Sequence, residues 1–320
     1  MHKYIIKRIL MMIPVLLGVI FVVFFIMNLT PTDAAEVILG NEGTPQEIER
    51  LREEMGLNRP LVIQYVSYIG NLLRGDMGIS YRNNLSVSAQ ILEKLPNTLL
   101  LASSAVAVAV VIGVPAGIIS AKKQYTPFDH IATVAALIGA AMPGFWLGLM
   151  GVLFFSVKLG WLPAAGMGKG AAGLAKSLVL PAFTVSSNTC AMIMRQTRSS
   201  MLDVIKQDYV DTARAKGLKE SFITIRHMLH NALIPIITVI GLQFGVLLGG
   251  SVISENVFAW PGLGRFVVDS IKTRDTPVVL GCVVVIAILF SLVNLCVDLL
   301  YAYVDPRIKS QYAKQGGRKG

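Results

Sequence analysis

The amino-acid sequence predicts an all-α integral membrane protein with six membrane-spanning helices. Of its 320 residues, 54% are hydrophobic and only 15% are charged, which is too apolar a composition for a soluble globular domain. Six runs without charged residues are each long enough to cross about 30 Å of hydrocarbon at about 1.5 Å per helical residue. These runs are residues 9–29, 98–121, 130–157, 177–194, 231–254 and 277–297.

The first apolar run follows the basic residues Lys3, Lys7 and Arg8, as the core of a secretory signal peptide does. The run covers 21 residues, however, and no small-x-small cleavage site closes it. We therefore expect residues 1–29 to form a cytosolic N-terminus and a retained first span.

The distribution of basic residues predicts that both termini are cytosolic. In this orientation 17 of the 29 Lys and Arg residues lie on the cytosolic side, in residues 1–8, 122–127, 195–230 and 298–320. Short cytosolic loops are enriched in Lys and Arg, whereas long outer loops are translocated largely regardless of charge. The net charge of +10 then indicates attraction to anionic membrane lipid, and no nucleic-acid-binding module is present in the sequence.

Residues 30–97 are predicted to form a small helical extracytoplasmic loop between the first two spans. Thr44, Pro45 and Glu47 match a capping box that begins a helix, and Gly56 matches the left-handed residue that ends one. A second helix is predicted over residues 60–73. The apolar stripes of the two helices are Ile48, Leu51 and Met55, and Val62, Val66, Ile69 and Leu73.

The third apolar run contains an interior break at residues 139–144, where the sequence is GAAMPG. Irregular backbone at membrane depth is tolerated only where protein or a water-filled cavity covers it. The break therefore predicts either a segment that lines a pathway or a kink that packs against small-residue helix neighbours.

The polar segment 195–230 separates two apolar runs and is predicted to form two short amphipathic helices in the cytosol. Gly217 divides them, and their apolar stripes are Leu202, Ile205, Tyr209 and Ala213, and Phe222, Ile225 and Leu229. Such stripes on a polar loop need a partner. We expect them to dock a soluble protein, and the alternative is a helix pair that lies on the lipid surface.

The chain carries no sequence pattern for chemistry of its own. Neither a phosphate-binding Gly-x-x-x-x-Gly-Lys-Ser/Thr loop nor a Gly-x-Ser-x-Gly elbow occurs in the sequence. The histidines form no metal-ligand spacing, and Cys190, Cys282 and Cys296 lie in apolar runs, where cysteine behaves as a small hydrophobe. We expect a non-enzymatic chain without a bound metal or cofactor.

Several short motifs occur in a fixed order along the chain. They are GLNRPL at 56–61, GNLLRGDMG at 70–78, GWLP at 160–163, NALIP at 231–235, ENVFAWPGLGR at 255–265, RDTP at 274–277 and DPR at 305–307. Together they resemble the permease subunits of ABC importers, in particular the group that serves dipeptides, oligopeptides, nickel and glutathione. The resemblance implies a type I ABC-importer permease fold, with a permease core over 98–306, a cytosolic tail over 307–320 and a place in the bacterial plasma membrane.

The resemblance also implies a contact site for ATPase subunits within the polar segment. The residues implied are Asp211, Thr212, Ala213, Arg214, Ala215, Lys216, Gly217 and Leu218. In the general family pattern a Glu-Ala pair precedes the glycine and a proline follows sooner, whereas here Asp211 begins the segment and Pro235 lies 18 residues after Gly217. The peptide group resembles this longer version.

By resemblance, the partners are a second homologous permease, two cytosolic ATPases that bind ATP and Mg, and an extracytoplasmic solute-binding protein. The expected substrate is a peptide, with nickel chelates and glutathione as alternatives. The segment 255–265 is either an outer gate or receptor-docking lip, or a turn packed by its own side chains. Its candidate residues are Glu255, Phe258, Trp260, Pro261, Gly262 and Arg265.

Two functions of other classes remain open. An ion-coupled carrier would work without an ATPase, but such carriers usually place ionisable groups near mid-membrane, and the six apolar runs lack Asp, Glu, Lys and Arg. A membrane scaffold that docks a cytosolic protein would not need a central cavity at all.

Overall fold

The computed structural model describes residues 2–29, 34–40 and 43–304. This part of the chain is helical, and its only β pairing is an isolated bridge between Ile79 and Ser86. The helices are α1 (His2–Asn28), α2 (Ala34–Leu39), α3 (Pro45–Met55), α4 (Leu61–Leu73), α5 (Val87–Lys122), α6 (Pro127–Ala141), α7 (Gly144–Gly151), α8 (Gly170–Ile205), α9 (Asp208–Ala215), α10 (Glu220–Phe222), α11 (His230–Gly250), α12 (Val252–Val257), α13 (Leu263–Lys272) and α14 (Thr276–Val304). Two π-helical stretches, Val152–Lys158 and Ile223–Leu229, continue α7 and α10. The motif at 305–307 and the tail at 307–320 lie outside the described residues.

Five helical segments of the described chain are long and apolar enough to cross a membrane, and they overlap five of the six predicted apolar runs, two of which extend beyond their segments by one and five residues. They are Arg8–Asn28, Val87–Lys122, Gly170–Ile205, Glu220–Gly249 and Thr276–Leu300. Two of them exceed the predicted runs considerably, because flanking turns with polar residues such as Gln90, Glu93 and Lys94 are also helical. A search of the sequence for apolar runs finds the part of a helix that lies in the membrane but misses its polar ends.

The sixth predicted span is a bent pair, formed by α6 and by Gly144–Lys158, at an angle of 101°. Met142, between the two helices, has an extended backbone conformation, as steric contact with the ring of the following Pro143 favours. The interior break predicted from the sequence is therefore confirmed. Both α6 and α7 pack against α8. Whether the break also lines a pathway stays a prediction.

The chain divides into two compact units. The first comprises residues 1–98 and 261–291. Its core is formed by Val87, Ile91, Leu263, Val278 and Cys282. A methyl group at Gly281 would meet the Val87 side chain at 2.7 Å, so glycine lets α14 approach the beginning of α5.

The segment after α1 begins its helices as predicted. Thr44 and Glu47 form the reciprocal capping box, with the Thr44 backbone N–H donating to Glu47 Oε2 at 2.9 Å, and Gly56 ends α3 with φ +69°. Helix α2 was not predicted. The Tyr65 hydroxyl donates to the Leu17 carbonyl oxygen at 2.8 Å, which places α4 beside the middle of α1.

The apolar stripe of α4 is not covered within the described chain: Val62, Val66 and Leu73 are all exposed. Among the described residues, neither α3 nor α4 contains a buried side chain. The α3 stripe of Ile48, Leu51 and Met55 is partly buried, as is Ile69 of α4, so the uncovered apolar surface of this predicted loop lies mainly on α4.

The second unit comprises, among the described residues, 99–260 and 292–304. In it, α5 approaches the backbone of α8 at two glycines one helical turn apart. A Cβ at Gly113 would lie 2.9 Å from the Cys190 carbonyl oxygen, and a Cβ at Gly117 would lie 2.6 Å from that of Met194. Small residues allow such close helix contacts in membranes.

Candidate functional site: a short helix and its support

The candidate coupling site is built on α9, an eight-residue helix that follows α8. Val210 and Ala213 are buried and form one face of α9. They pack into a cluster with Ala121 at the end of α5, Met201 of α8 and Ile236 of α11. The cluster anchors α9 to the ends of three long helices.

The residues that the sequence predicts for ATPase contact lie on the outer face of α9 and in the turn after it. Of the eight residues from Asp211 to Leu218, Ala213 is buried and the other seven are exposed. The structure therefore brings these residues together on one accessible surface of the second unit. Their role in ATPase contact stays a prediction.

Arg214 holds the turn that follows α9. Its guanidinium donates to Glu220 Oε1 at 2.8 Å and to Asp211 Oδ1 at 3.0 Å, and the Glu220 carboxylate, followed by that of Asp211, raises the pKa of Arg214. The pairs are solvent-exposed, so each contributes at most about 1 kcal/mol. Gly217 adopts φ +74°, and its N–H donates to the Arg214 carbonyl oxygen at 2.9 Å, which ends the helix in the manner predicted.

The predicted second stripe, Phe222, Ile225 and Leu229, is only partly confirmed: Leu229 packs against the cluster around Val210 and Ala213, whereas the other two side chains are exposed. Phe222 and Ile225 are 50% and 66% exposed, and the buried residues of this segment are Ile223, Thr224 and Met228. The reason is the π-helical stretch Ile223–Leu229, whose wider turn shifts the buried face away from the 3.6-residue repeat assumed in the prediction.

The predicted first stripe is also divided differently. Leu202 and Ile205 belong to the end of α8, not to a separate cytosolic helix, and Tyr209 faces outward from α9. Four large apolar side chains on α9 and on the segment that follows it are therefore exposed. These are Tyr209, Leu218, Phe222 and Ile225.

A buried ion pair lies close to this site and was missed by the sequence reasoning. Asp129 at the beginning of α6 is 3% exposed. The guanidinium of Arg198 in α8 donates two hydrogen bonds to its carboxylate, of 2.7 and 2.8 Å. Ser120 Oγ of α5 and the Tyr125 N–H also donate to it. The cluster joins the ends of α5, α6 and α8. Its one signal in the sequence is that both charges flank apolar runs predicted to end on the same side of the membrane.

The predicted outer-mouth residues fall in both units. In the second unit Glu255, Phe258 and Trp260 are all buried, and the Trp260 N–H donates to the Glu255 carbonyl oxygen at 2.8 Å. Trp260 packs with Leu101 and Ala182. The aromatic side chains thus pack a turn, as one of the two alternatives expected.

In the first unit, Pro261 accepts a hydrogen bond of 2.8 Å from the Asn97 side chain. Gly262 is buried at the beginning of α13. Arg265 is the outer-mouth candidate with a substantially exposed charged group: its side chain is 40% exposed and pairs with Asp269 at 3.5 Å. A gating or docking role for the segment stays a prediction.

Long apolar helices, a bent span and an exposed short helix anchored to the ends of three of them define an α-helical membrane protein. The fold comparison defines the fold more closely. The chain matches a chain of the MetNI methionine ABC transporter in an inward-facing conformation, with a TM-score of 0.55 and 18% identity over 68% of this chain and 97% of that one. The ABC-importer permease fold expected from the sequence is therefore confirmed. The side of the membrane that each loop occupies stays a prediction.

The chain belongs to the family described as binding-protein-dependent transport system inner membrane component, which matches residues 113–310. The N-terminal component of the same kind of protein matches residues 1–102. The resemblance drawn from the motifs is thus confirmed. Together with its apolar helices, the family makes this a multi-pass protein of the bacterial plasma membrane.

Similar proteins carry three different substrate names. The chain is 42% identical to the dipeptide transport system permease protein DppB of Alkalihalophilus pseudofirmus, over 97% of this chain and all of that one. It is also 42% identical to the oligopeptide transport system permease protein AppB of Bacillus subtilis, over the same shares. It is 41% identical to the glutathione transport system permease protein GsiC of Escherichia coli K12, over 97% of this chain and 99% of that one.

Proposed function

We propose that this chain is one permease subunit of an ATP-driven importer, and that it forms half of the pathway for peptides delivered by a solute-binding protein. The observation that carries the proposal is the exposed surface from Asp211 to Leu218, supported from below by the buried Val210 and Ala213. An exposed helix with apolar neighbours fits a cleft in a soluble partner.

In the proposed mechanism, α9 is the element of this chain that the partner ATPases contact and move. Two partner ATPases bind ATP and Mg, close on each other and displace α9. Because α9 packs against the ends of α5, α8 and α11, its displacement shifts these helices and changes the side from which the central cavity is open. ATP hydrolysis takes place on the partner subunits, and this chain supplies the mechanical coupling.

Peptides are the proposed substrate because two of the three similar proteins are named for dipeptides or oligopeptides. Glutathione, itself a tripeptide, is the second candidate, since the third is named for it. A nickel chelate is a further alternative by resemblance. The solute-binding protein that co-purifies with this chain decides among them, because its affinity for each candidate can be measured by calorimetry.

The coupling role is tested by Gly217→Pro. Proline fixes φ near −65°, which is incompatible with the φ of +74° at this position, so the turn after α9 must rearrange. We expect uptake of a labelled dipeptide to be lost while the chain remains inserted in the membrane. Gly160→Pro is the matched control, because Gly160 also has a positive φ and open space around it but lies far along the chain from α9.

Tagged purification in mild detergent completes the test. A second permease and ATPases with a phosphate-binding loop are expected with the parent chain, and the ATPases are expected in reduced amount with Gly217→Pro. Normal uptake in Gly217→Pro would contradict the coupling role. Recovery of the parent chain alone, under conditions that preserve other membrane complexes, would favour the ion-coupled carrier.

A further inference from the structure

The first unit contains a cavity of about 750 Å³ that the proposed function does not use. It is open on one side and is lined by the end of α1, the helices α2, α3 and α4, residues 76–84 and the beginning of α14. The lining is mixed in character: apolar side chains such as Phe24, Met27 and Leu280 alternate with polar ones. A cavity of this size and composition is typical of a ligand site.

The charged residues of the lining are predominantly basic. Among the described residues they are Arg52, Arg59, Arg274 and Asp76. The Asp76 carboxylate accepts a hydrogen bond of 2.8 Å from the Gly78 N–H but keeps its negative charge, and Arg52 pairs with Glu49 at 3.7 Å. Three arginines against one aspartate still leave the lining with a positive charge, which favours an anionic ligand.

Two buried hydrogen-bond donors of the lining have no partner within the described chain. Arg274 Nη1 and the Tyr68 hydroxyl are both shielded from solvent and make no hydrogen bond. Burial is the main cause that raises the pKa of Tyr68, so the hydroxyl keeps its proton and remains a donor. Buried donors without an acceptor are rare in proteins and call for an explanation.

The backbone around Arg274 is strained and firmly held. Arg274 has φ +56°, a left-handed conformation that residues with a side chain seldom adopt. The Ser80 hydroxyl and the Tyr81 N–H both donate to the neighbouring Asp275 carboxylate, and the Asp275 N–H donates to the Ser270 carbonyl oxygen at 2.9 Å. Strain that the surroundings maintain in this way is typical of functional positions.

The turn that carries Arg59 is held in a similar way. The Gln64 side-chain amide donates to the carbonyl oxygens of Leu57 and Arg59, both at 2.8 Å. A Cβ at Gly56 would come 3.6 Å from Arg59 Nε, so the Arg59 side chain lies across this glycine. Both arginines thus have a fixed backbone at the cavity.

Helix α4 presents a polar face to this cavity and an apolar face elsewhere. Gln64, Tyr68 and Asn71, spaced at helical intervals, line the cavity, whereas Val62 and Val66 are exposed on another face. The cavity also reaches Phe24 and Met27 near the end of the first membrane span. A ligand in this cavity would meet polar donors at one end and apolar side chains at the other. A lipid head group with its glycerol matches this arrangement, because it is polar at one end and apolar at the other.

We propose that this cavity, which we call the arginine pocket, binds the negatively charged phosphate of an anionic phospholipid head group. Arg274, Arg59 and Tyr68 donate hydrogen bonds to the phosphate oxygens, and the apolar lining contacts the glycerol and the first carbons of the chains. Arginine is suited to this task because its planar group donates two parallel hydrogen bonds to phosphate. Free phosphate offers the same oxygens without the apolar part.

The test is lipid titration of the purified full chain, together with the subunits that accompany it. Short-chain phosphatidylglycerol, short-chain phosphatidylcholine and inorganic phosphate are added separately, and the thermal unfolding midpoint is recorded. We expect phosphatidylglycerol to raise the midpoint saturably and phosphatidylcholine to have little effect. Arg274→Gln and Arg59→Gln should each raise the half-saturating lipid concentration about tenfold, the loss of one charge-assisted hydrogen bond.

Arg50→Gln is the matched control, because Arg50 lies on α3 and pairs with Glu54 in solvent but does not line the pocket. Arg59 is exposed, so Arg59→Gln is expected to fold normally. It keeps the test valid if Arg274→Gln fails to fold. If inorganic phosphate stabilises the protein as much as phosphatidylglycerol does, and also saturably, the pocket is a phosphate site for a soluble ligand and not for a lipid. The proposal is overturned if neither compound stabilises the protein, or if Arg50→Gln weakens the effect as much as the pocket variants do.

Discussion

The carboxylate of Asp129 is the most consequential single group near the candidate coupling site. It is almost completely buried and receives hydrogen bonds from Arg198, Ser120 and the Tyr125 backbone. A buried charge is tolerated only when such partners replace its hydration. The pair therefore adds little net stability over an apolar replacement, but each partner depends strongly on the other.

Replacement of Arg198 should consequently lower the stability of the folded protein strongly. We expect Arg198→Met to destabilise the protein by about 3–5 kcal/mol, because it leaves the Asp129 charge buried without a cation. The double variant Arg198→Met, Asp129→Leu should recover much of that loss. Thermal unfolding in detergent measures both. Arg226→Met, at an exposed position on the same polar segment, serves as the control, and equal loss in control and test variant would refute the prediction.

At the scale of helices, the contact between α5 and α8 depends on glycine. A Cβ at Gly117 would lie 2.6 Å from both the Met194 carbonyl oxygen and Thr197 Cβ, distances that require a backbone shift. We expect Gly117→Ala to destabilise the protein by about 1–3 kcal/mol, in the range of overpacked cores. Thermal unfolding is again the measurement.

Gly18→Ala provides a direct comparison, because Gly18 is also helical but has no atom within 4 Å of the added methyl group. That substitution should be neutral or stabilise α1 by about 0.5–1 kcal/mol, since alanine favours a helix more than glycine does. A similar effect of both alanine substitutions would show that α5 and α8 are not in close contact.

The capping box of α3 predicts a dependence on pH. Hydrogen bonds from the Thr44 backbone and side chain lower the pKa of Glu47 below its ordinary value of 4.5. Its contribution to helix stability is therefore complete above pH 4.5 and is lost as the pH falls through the lower folded value. Hydrogen exchange of the α3 amides, corrected for intrinsic rates, should increase over this range in the parent protein. Glu47→Gln should remove that increase, and an unchanged pH profile in the variant would contradict the assignment.

Helix α3 also illustrates which elements a sequence can predict. Its capping residues, its proline at the first turn and Gly56 are local signals, and the structure shows α3 beginning and ending where they indicate. The buried face of Ile223–Leu229 could not be predicted in this way, because a π-helical turn depends on packing against Met201 and Ile236. The Asp129–Arg198 pair joins residues 69 positions apart, and no periodicity reports such a contact.

At the scale of the whole molecule, the orientation in the membrane can be measured directly. We predict that Arg82→Cys faces outward and Lys219→Cys faces the cytosol, because basic residues concentrate on the side that contains residues 195–230. Both positions are exposed. A membrane-impermeant maleimide should label Arg82→Cys in intact cells and Lys219→Cys only after permeabilisation. The parent chain, with Cys190, Cys282 and Cys296 in helices, gives the background, and the reverse labelling pattern would invert the topology.

The length of α8 has a geometric consequence for any transport cycle. The helix has 36 residues, about 54 Å at 1.5 Å per residue, and Arg198 lies near one end of it. If α8 rotates by only about 5° about that end, its other end moves by about 5 Å, close to one helical pitch. A rotation of a few degrees where α8 meets α9 is therefore magnified along α8 into a displacement of several ångströms at its other end.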